Sequence, residues 1–204
     1  TVRLHFHGAA GCVTGAGFRL VTDEVQVLVD CGLFQGPKTL KALNYDPFPF
    51  DPRKIDAVLL THAHIDHSGQ IPRLVKHGFR GPVLSTVGTR DLCSVMLPDA
   101  GGIQEHEVEF LNRRALRRGQ PTVEPIYTRR DAERAMRVFE TVAYEDWRDA
   151  APGLRARWWN AGHILGSASV EIEIARTGED PMRLLFSGDL GPGGREFAPD
   201  PRGP

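Results

Sequence analysis

The hydrophobic and polar positions along the chain predict a series of short strands. Runs that alternate between apolar and polar residues, or that are continuously apolar and β-branched, are typical of half-buried and buried strands. Residues 17–21 and 25–29 form two such runs with a polar turn between them, which predicts a β-hairpin. The remaining predicted strands cover residues 2–7, 54–60, 82–85, 154–160, 169–175 and 182–186.

Helical patterns occupy the stretches between several of these strands. Residues 71–77 carry Pro72 in the first turn of a predicted helix. Residues 86–97 predict a second helix, which we expect to end at Pro98. A sparse apolar stripe with charges on both sides covers residues 103–119. Strands and helices in this order are typical of an α/β protein.

A capping box predicts the start of a further helix. Thr128 and Asp131 have the required spacing of three residues. The apolar face of this helix would consist of Ala132, Ala135, Met136 and Phe139. Elsewhere, residues 34–52 are rich in proline, glycine and aromatic residues and predict an irregular surface loop. The segment from Gly191 onward has no core pattern.

Composition limits the class of protein without identifying it. The 204 residues are enough for one substantial domain or two small ones, and a hydrophobic content of 41% can fill a core. No stretch approaches the length of a membrane span, and the first residues lack the pattern of a signal peptide. Three widely spaced cysteines offer no disulfide framework, which favours a reducing cytoplasm.

Charge gives only a local argument for nucleic-acid binding, because the net charge is −1. Arginines are dense between residues 113 and 137, but glutamates are interleaved with them. This mixture favours a solvated, salt-bridged surface over a phosphate-binding patch. The arginines are Arg113, Arg114, Arg117, Arg118, Arg129, Arg130, Arg134 and Arg137.

The densest group of ligand-type side chains follows the predicted strand at 54–60. Three histidines and one aspartate lie within six residues at the spacing H-x-H-x-D-H, namely His62, His64, Asp66 and His67. Imidazole and carboxylate groups are ligands of zinc and its neighbours. In a loop at a strand end, the first two histidines can face one side while the last two residues reach another, which favours two metal ions. The alternative is a polar loop that is rich in histidine by chance.

Three further strand ends carry residues of the same type, namely Asp30, His163 and Asp189. A ligand-type residue at a single strand end would be chance. Four such strand ends predict that these residues lie together at one rim of the fold. We expect Asp30, which ends an apolar strand, to orient a metal-bound histidine. Its alternative role is that of an acidic turn residue. We interpret His5 and His7, which share one face of the first strand, as core or rim residues rather than ligands.

In their order along the chain, Asp30, the H-x-H-x-D-H group, His163 and Asp189 resemble the first four motifs of the metallo-β-lactamase superfamily. Further stretches are similar to its β-CASP branch. That branch contains RNA-processing nucleases related to the 73-kilodalton subunit of the cleavage and polyadenylation specificity factor. The stretches that carry this likeness are residues 8–10, 13–15, 30–36, 162–168 and 186–191.

The resemblance implies an α/β fold, a four-layer αβ/βα sandwich with metals at one edge of two facing sheets. It implies one metallo-β-lactamase domain over residues 1–204, with a helical insertion at about 101–141. In the β-CASP branch another domain follows the fourth motif, and the chain then returns with two more histidines and an acidic residue. Because this sequence stops at Pro204, we expect a chain that is truncated before the β-CASP domain.

The resemblance also implies an assignment of ligands. His62, His64 and His163 would hold a first metal, Asp66 and His67 a second, and Asp189 would bridge the two. Both ions would be zinc, with manganese as the alternative. A hydroxide between them would be the nucleophile, since zinc lowers the pKa of bound water to about 7. The candidate catalytic residues are Asp66 and Asp30.

These features favour a metal-dependent phosphodiesterase that hydrolyses RNA in the cytoplasm. Two divalent ions, two carboxylates and a hydroxide leave a net positive site, which suits a phosphodiester anion. The alternatives are a small-molecule hydrolase of the thioesterase or lactonase type and a non-catalytic partner that retains the fold. We expect RNA as the partner, no membrane, and self-association or pairing with a β-CASP portion.

Overall fold

The computed structural model describes residues 1–194, 196 and 199–204. Within these residues ten strands form two sheets, one of six strands and one of four. The strands are β1 (Arg3–Phe6), β2 (Phe18–Val21), β3 (Gln26–Val29), β4 (Ala57–Leu59), β5 (Val83–Thr86), β6 (Phe139–Val142), β7 (Arg148–Ala151), β8 (Leu154–Asn160), β9 (Ala168–Ile174) and β10 (Met182–Phe186).

The first sheet has the order β1-β2-β3-β4-β5-β6. Strands β1 to β3 are antiparallel neighbours, which confirms the predicted hairpin, whereas β3 to β6 run parallel. Parallel strands need covered faces, and β4 and β5 are accordingly buried at every position. The carboxyl ends of β3 and β4 therefore lie side by side at one edge.

The second sheet is an antiparallel meander in the order β10-β9-β8-β7. One face of β8 and β9 packs against the first sheet through Trp158, Val170 and Ile172, which meet Leu20 and Leu59 in one buried cluster. The other face carries Glu171 and Glu173, which pair with arginines of β8 and β10. One hydrophobic core thus lies between the two sheets.

Five α-helices lie among the described residues, and all of them precede β6. They are α1 (Lys38–Ala42), α2 (Ile65–Ser68), α3 (Ile71–Lys76), α4 (Val87–Arg117) and α5 (Arg129–Ala135). Short 3-10 segments cover Leu43–Tyr45, Pro52–Lys54 and Met136–Val138. Buried residues of α3, α4 and α5 form another core with Val58 and Val83 of the first sheet. The layers formed by described residues are helices, first sheet and second sheet.

The expectation that a helix ends at Pro98 is wrong, because α4 continues through this residue to Arg117. A proline inside a helix removes one hydrogen bond, but tertiary packing outweighs this cost here. Leu97 and Gly101 are buried against the rest of the fold. A Cβ at Gly101 would lie 2.7 Å from the backbone nitrogen of Arg129, so α5 is seated directly on α4. No described helix is long and apolar enough to span a membrane.

Other differences follow from long-range pairing. The capping box at Thr128 and Asp131 is formed, but Phe139 belongs to β6 and pairs with Val83 rather than extending the helix. Strands β6 and β7 lack an apolar alternation and were not expected from the sequence. Residues 65–68 form a helical turn inside the predicted metal loop, and residues 38–42 form one inside the predicted irregular loop.

The inter-sheet core generates a test of the fold. Leu59, the last residue of β4, is 0% exposed. We expect Leu59→Ala to lower the free energy of unfolding by about 2–5 kcal/mol, because it leaves a cavity that neighbouring strands cannot fill. Leu185→Ala is the matched control, since Leu185 on β10 is 53% exposed. It should change the value by less than about 0.5 kcal/mol in urea titrations. Equal losses in the two variants would contradict this core.

Candidate metal centre

Four strand ends bring the ligand-type residues to one edge of the molecule. Asp30 follows β3, and the H-x-H-x-D-H group follows β4, its parallel neighbour. In the second sheet, β8 and β10 both pair antiparallel with β9, so they end at the same edge. His163 follows β8 and Asp189 follows β10. The site thus lies where the two sheets meet.

Three histidines and one carboxylate form the tightest group. One ligand atom from each of His62, His64, His163 and Asp189 lies within 4.8 Å of all the others. His64 Nδ1 is 3.1 Å from His62 Nε2 and 3.2 Å from His163 Nε2. Asp189 Oδ2 lies 3.8 Å from His62 Nε2 and 3.6 Å from His163 Nε2. These four atoms surround a common point, as ligands of one metal ion do.

The other oxygen of Asp189 faces a second group. Asp189 Oδ1 is 3.4 Å from His67 Nε2, and His67 Nε2 is 4.0 Å from Asp66 Oδ2. The ring centroids of His62 and His67 are 4.1 Å apart, so the two groups adjoin each other. All six residues that the sequence singled out as metal ligands are therefore brought together, and Asp189 lies between their two subsets.

Asp30 contacts His67 of the second group and is buried, at 1% exposure. Its Oδ1 accepts a hydrogen bond from the backbone N–H of Thr61 at 2.8 Å. Its Oδ2 accepts from the Thr61 hydroxyl at 2.9 Å and pairs with His67 Nδ1 at 2.7 Å. Asp30 also has a φ of 60°, a conformation that aspartate tolerates better than most residues. The residue thus connects the ends of β3 and β4.

These hydrogen bonds fix which nitrogen each histidine turns toward the site. With Nδ1 donating to Asp30, the Nε2 lone pair of His67 faces Asp189. Because the Thr61 hydroxyl donates to Asp30, it accepts from His62 Nδ1, which is 3.0 Å away. The Nε2 lone pair of His62 then points at His64 and Asp189. One buried carboxylate sets both tautomers.

The electrostatics of the two histidines differ. Burial, followed by the neighbouring histidines His67, His64 and His163, lowers the pKa of His62 to about 2. His62 is therefore neutral and has a lone pair for a metal. Burial also acts to lower the pKa of His67, but the hydrogen bond and charge of Asp30, with the charges of Asp189 and Asp66, raise it above its usual value.

The backbone of the metal loop is tied to the segment after β3. Cys31 N–H donates to the carbonyl of His67 at 2.7 Å, and Leu33 N–H donates to that of Ile65 at 3.0 Å. Between them, a Cβ at Gly32 would lie 1.6 Å from the Asp66 carbonyl oxygen. Glycine is required here because the two backbones touch.

Sequence reasoning missed two residues of the site, Thr61 and Ser167. Thr61 links Asp30 to His62, and the Ser167 hydroxyl accepts from the backbone N–H of His163 at 3.0 Å. Thr61 is adjacent to His62 in sequence and Ser167 lies four residues after His163, but a hydroxyl partner leaves no signal in a hydrophobic pattern. Among the other candidates, His5 stacks on His7, and His7 also packs against Phe50. Burial, then the charges of Arg19 and His5, lowers the pKa of His7 to about 4.

Comparison with known proteins places these observations in a family. The chain is 38% identical over 194 residues to Ribonuclease TTHA0252 of Thermus thermophilus, covering 95% of this chain and 39% of that protein. It is 31% identical over 189 residues to the transcription termination factor FttA of Methanocaldococcus jannaschii, covering 93% of this chain and 27% of that protein. The chain thus spans two fifths or less of the length of these relatives.

Solved structures agree on the fold. The crystal structure of the metallo-beta-lactamase SMB-1 with mercaptoacetic acid superimposes with a TM-score of 0.53 at 18% sequence identity, covering 90% of this chain and 60% of that one. Residues 17–86, which include Asp30 and the H-x-H-x-D-H group, match the sequence model of the metallo-beta-lactamase superfamily. On its fold, its sequence match and the order of its ligand-bearing strand ends, the chain belongs to the metallo-β-lactamase superfamily.

Proposed function

We propose that this chain carries the metal centre of a phosphodiesterase that hydrolyses RNA. The observation that carries the proposal is the position of Asp189, whose two oxygens face two different sets of histidine and carboxylate donors. A carboxylate shared between two donor sets is the arrangement of a two-metal hydrolase. The names of the relatives, a ribonuclease and a transcription termination factor, support RNA as the substrate.

The ligands follow from the two donor sets. His62, His64 and His163 would hold the first ion, Asp66 and His67 would hold the second, and Asp189, which faces both sets, would be shared by them. The donor chemistry fits zinc, with manganese as the alternative, because hard ions such as magnesium do not select histidines. The low pKa of His62 leaves its Nε2 lone pair free for the first position. In neutral His67, the bond from Nδ1 to Asp30 leaves the Nε2 lone pair for the second position.

When bound, the two divalent ions supply an acidified water molecule and a positive field for a phosphodiester. The chain itself supplies the framework. Asp30 binds His67 Nδ1 directly and binds the Thr61 hydroxyl, which in turn accepts from His62 Nδ1. These hydrogen bonds direct the Nε2 atoms of both histidines toward the proposed metal positions. Asp66 and Asp189 reduce the charge of two divalent ions without cancelling it, which suits an anionic substrate.

The wider organisation is also part of the proposal. Residues 1–204 form one metallo-β-lactamase unit in which the stretch at about 101–141 is a helical elaboration. We place the unit in the β-CASP branch, in the cytoplasm, where a β-CASP portion completes the RNA cleft. The similarity of residues 30–36 and 162–168 to that branch supports this assignment.

Cleavage of labelled RNA tests the function. We expect a natural protein that contains this chain to cut RNA only when loaded with metal, and His64→Ala to lower the rate at least about 1,000-fold, because it removes a ligand of the first ion. His106→Ala is the matched control, since His106 is exposed on α4. Faster turnover of thioesters or lactones than of RNA would support the small-molecule hydrolase instead.

The hydrogen bonds of Asp30 give a second test. We expect Asp30→Asn to weaken zinc binding by about 10–100-fold while the chain stays folded, because an amide holds the His67 tautomer less firmly than a carboxylate does. Asp91→Asn is the control, because the Asp91 side chain on α4 is 60% exposed. Zinc affinity can be measured by competition with a chelator. An Asp30→Asn chain that no longer folds would show that Asp30 is a structural residue.

The unequal donor sets predict unequal affinities in the 204-residue chain. The first position has three imidazoles and Asp189, a full tetrahedral set. Among the residues that the structure describes, the second has only His67, Asp66 and the shared Asp189. Isothermal titration of the metal-free chain with zinc should therefore show one tight site and one much weaker site. Two equally tight sites would contradict the assignment.

A further inference from the structure

His163 is the one histidine of the first donor set that comes from the second sheet, and a tight turn at residues 161–168 carries it. The side chain and backbone of Ser167 form hydrogen bonds inside this turn. Its Oγ accepts hydrogen bonds from the N–H groups of His163 at 3.0 Å and Ile164 at 3.1 Å. Its own N–H donates to the Ile164 carbonyl at 3.0 Å, and its carbonyl accepts from Ala161 N–H at 3.1 Å. Ser167 is 1% exposed, so water does not replace these bonds.

Residues at the start of α4 form hydrogen bonds to the same turn. The hydroxyls of Thr86 and Thr89 both donate to the carbonyl oxygen of Gly166, at 2.6 and 2.8 Å. A carbonyl oxygen has two lone pairs and accepts both bonds. Thr86 also caps α4 by accepting from the N–H of Thr89 at 3.3 Å. Both threonines are buried, at 3% and 0% exposure.

The contact between helix and turn leaves no room for a side chain. Gly166 has a φ of +78°, and a Cβ there would lie 2.2 Å from the backbone nitrogen of Thr89. A Cβ at Gly88 would lie 3.0 Å from the Cα of Gly166. The start of a 31-residue helix is thus in backbone contact with the turn that carries a metal-ligand candidate.

We propose that Ser167, Thr86 and Thr89 form a clamp that positions His163 against the histidines of the first sheet. The proposal rests on the proposed metal centre and extends it to residues that touch no metal. His62 and His64 share one loop, so local backbone sets their spacing. His163 Nε2 reaches within 3.2 Å of His64 Nδ1 from the other sheet, so a contact between the layers must fix its place. The clamp provides that contact, because α4 follows β5 of the first sheet directly.

Three substitutions separate positioning from general stability. Ser167→Ala removes the acceptor for the His163 and Ile164 N–H groups, and Thr89→Val removes one hydroxyl at nearly constant shape. Thr89→Ser restores that hydroxyl. The matched control is Ser85→Ala, because Ser85 is 0% exposed on the neighbouring strand β5 and its hydroxyl has no partner among the described residues.

Two measurements report on the clamp. Cobalt(II) titration of the metal-free chain should show about 10–100-fold weaker binding at the tighter site and an altered visible absorption spectrum for Ser167→Ala and Thr89→Val. Thr89→Ser and Ser85→Ala should match the wild type. Hydrogen exchange of the His163 and Ile164 amides in the metal-free chain should accelerate at least about 10-fold in the same two variants. Ser167 accepts from both amides, and Thr89 holds the neighbouring carbonyl of Gly166.

The outcomes are distinguishable. Wild-type cobalt affinity and amide exchange in both Ser167→Ala and Thr89→Val, with only a lower melting temperature, would overturn the clamp and leave a structural contact. If Ser167→Ala does not fold, Thr89→Val with its serine rescue decides the question. A wild-type chain that binds no cobalt would overturn the proposed metal centre. In that case amide exchange still tests the clamp, and wild-type exchange rates in Ser167→Ala and Thr89→Val would overturn it.

Discussion

The proposed metal centre depends on the hydrogen bonds of one buried carboxylate, that of Asp30. A charged group at 1% exposure is unfavourable unless hydrogen bonds compensate it, and Asp30 has three partners, from Thr61 and His67. These partners lie on the loop after β4, whereas Asp30 ends β3. The compensation therefore forms only when the two parallel strands are paired in this register. The pairing of β3 with β4 therefore also orients His62 and His67.

The second sheet supplies the remaining two candidate ligands of the proposed metal centre. His163 and Asp189 arrive from β8 and β10, and the inter-sheet core around Trp158 sets how those strands face the first sheet. Trp158 also donates from Nε1 to the carbonyl of Leu60 at 3.1 Å, directly before the metal loop. Trp158 thus both packs in the inter-sheet core and forms a hydrogen bond next to the metal loop. The apolar core between the sheets and the polar site at their edge both follow from this arrangement of strands.

The parts of this structure that could be predicted are those encoded locally. The H-x-H-x-D-H spacing and the apolar run before it predict a ligand-rich loop, and the strands at 154–160 and 182–186 are found at those bounds. Strand β7 could not be predicted, because Arg148 and Asp149 become a strand only by pairing with β8. The helix through Pro98 depends on the contact between Gly101 and α5, which the sequence near Pro98 does not reveal. The bond between Asp30 and His67 joins residues 37 positions apart, so only the strand register determines it.

The central claim is that Asp189 lies between two metal positions with different donors. Anomalous diffraction from crystals of the zinc-loaded chain, collected on both sides of the zinc absorption edge, tests it most directly. The account predicts two peaks about 3.5–4 Å apart. One should be bound by His62, His64 and His163, the other by Asp66 and His67, with one oxygen of Asp189 on each. A single fully occupied peak that Asp189 does not touch, or a zinc bound by Asp30, would contradict it.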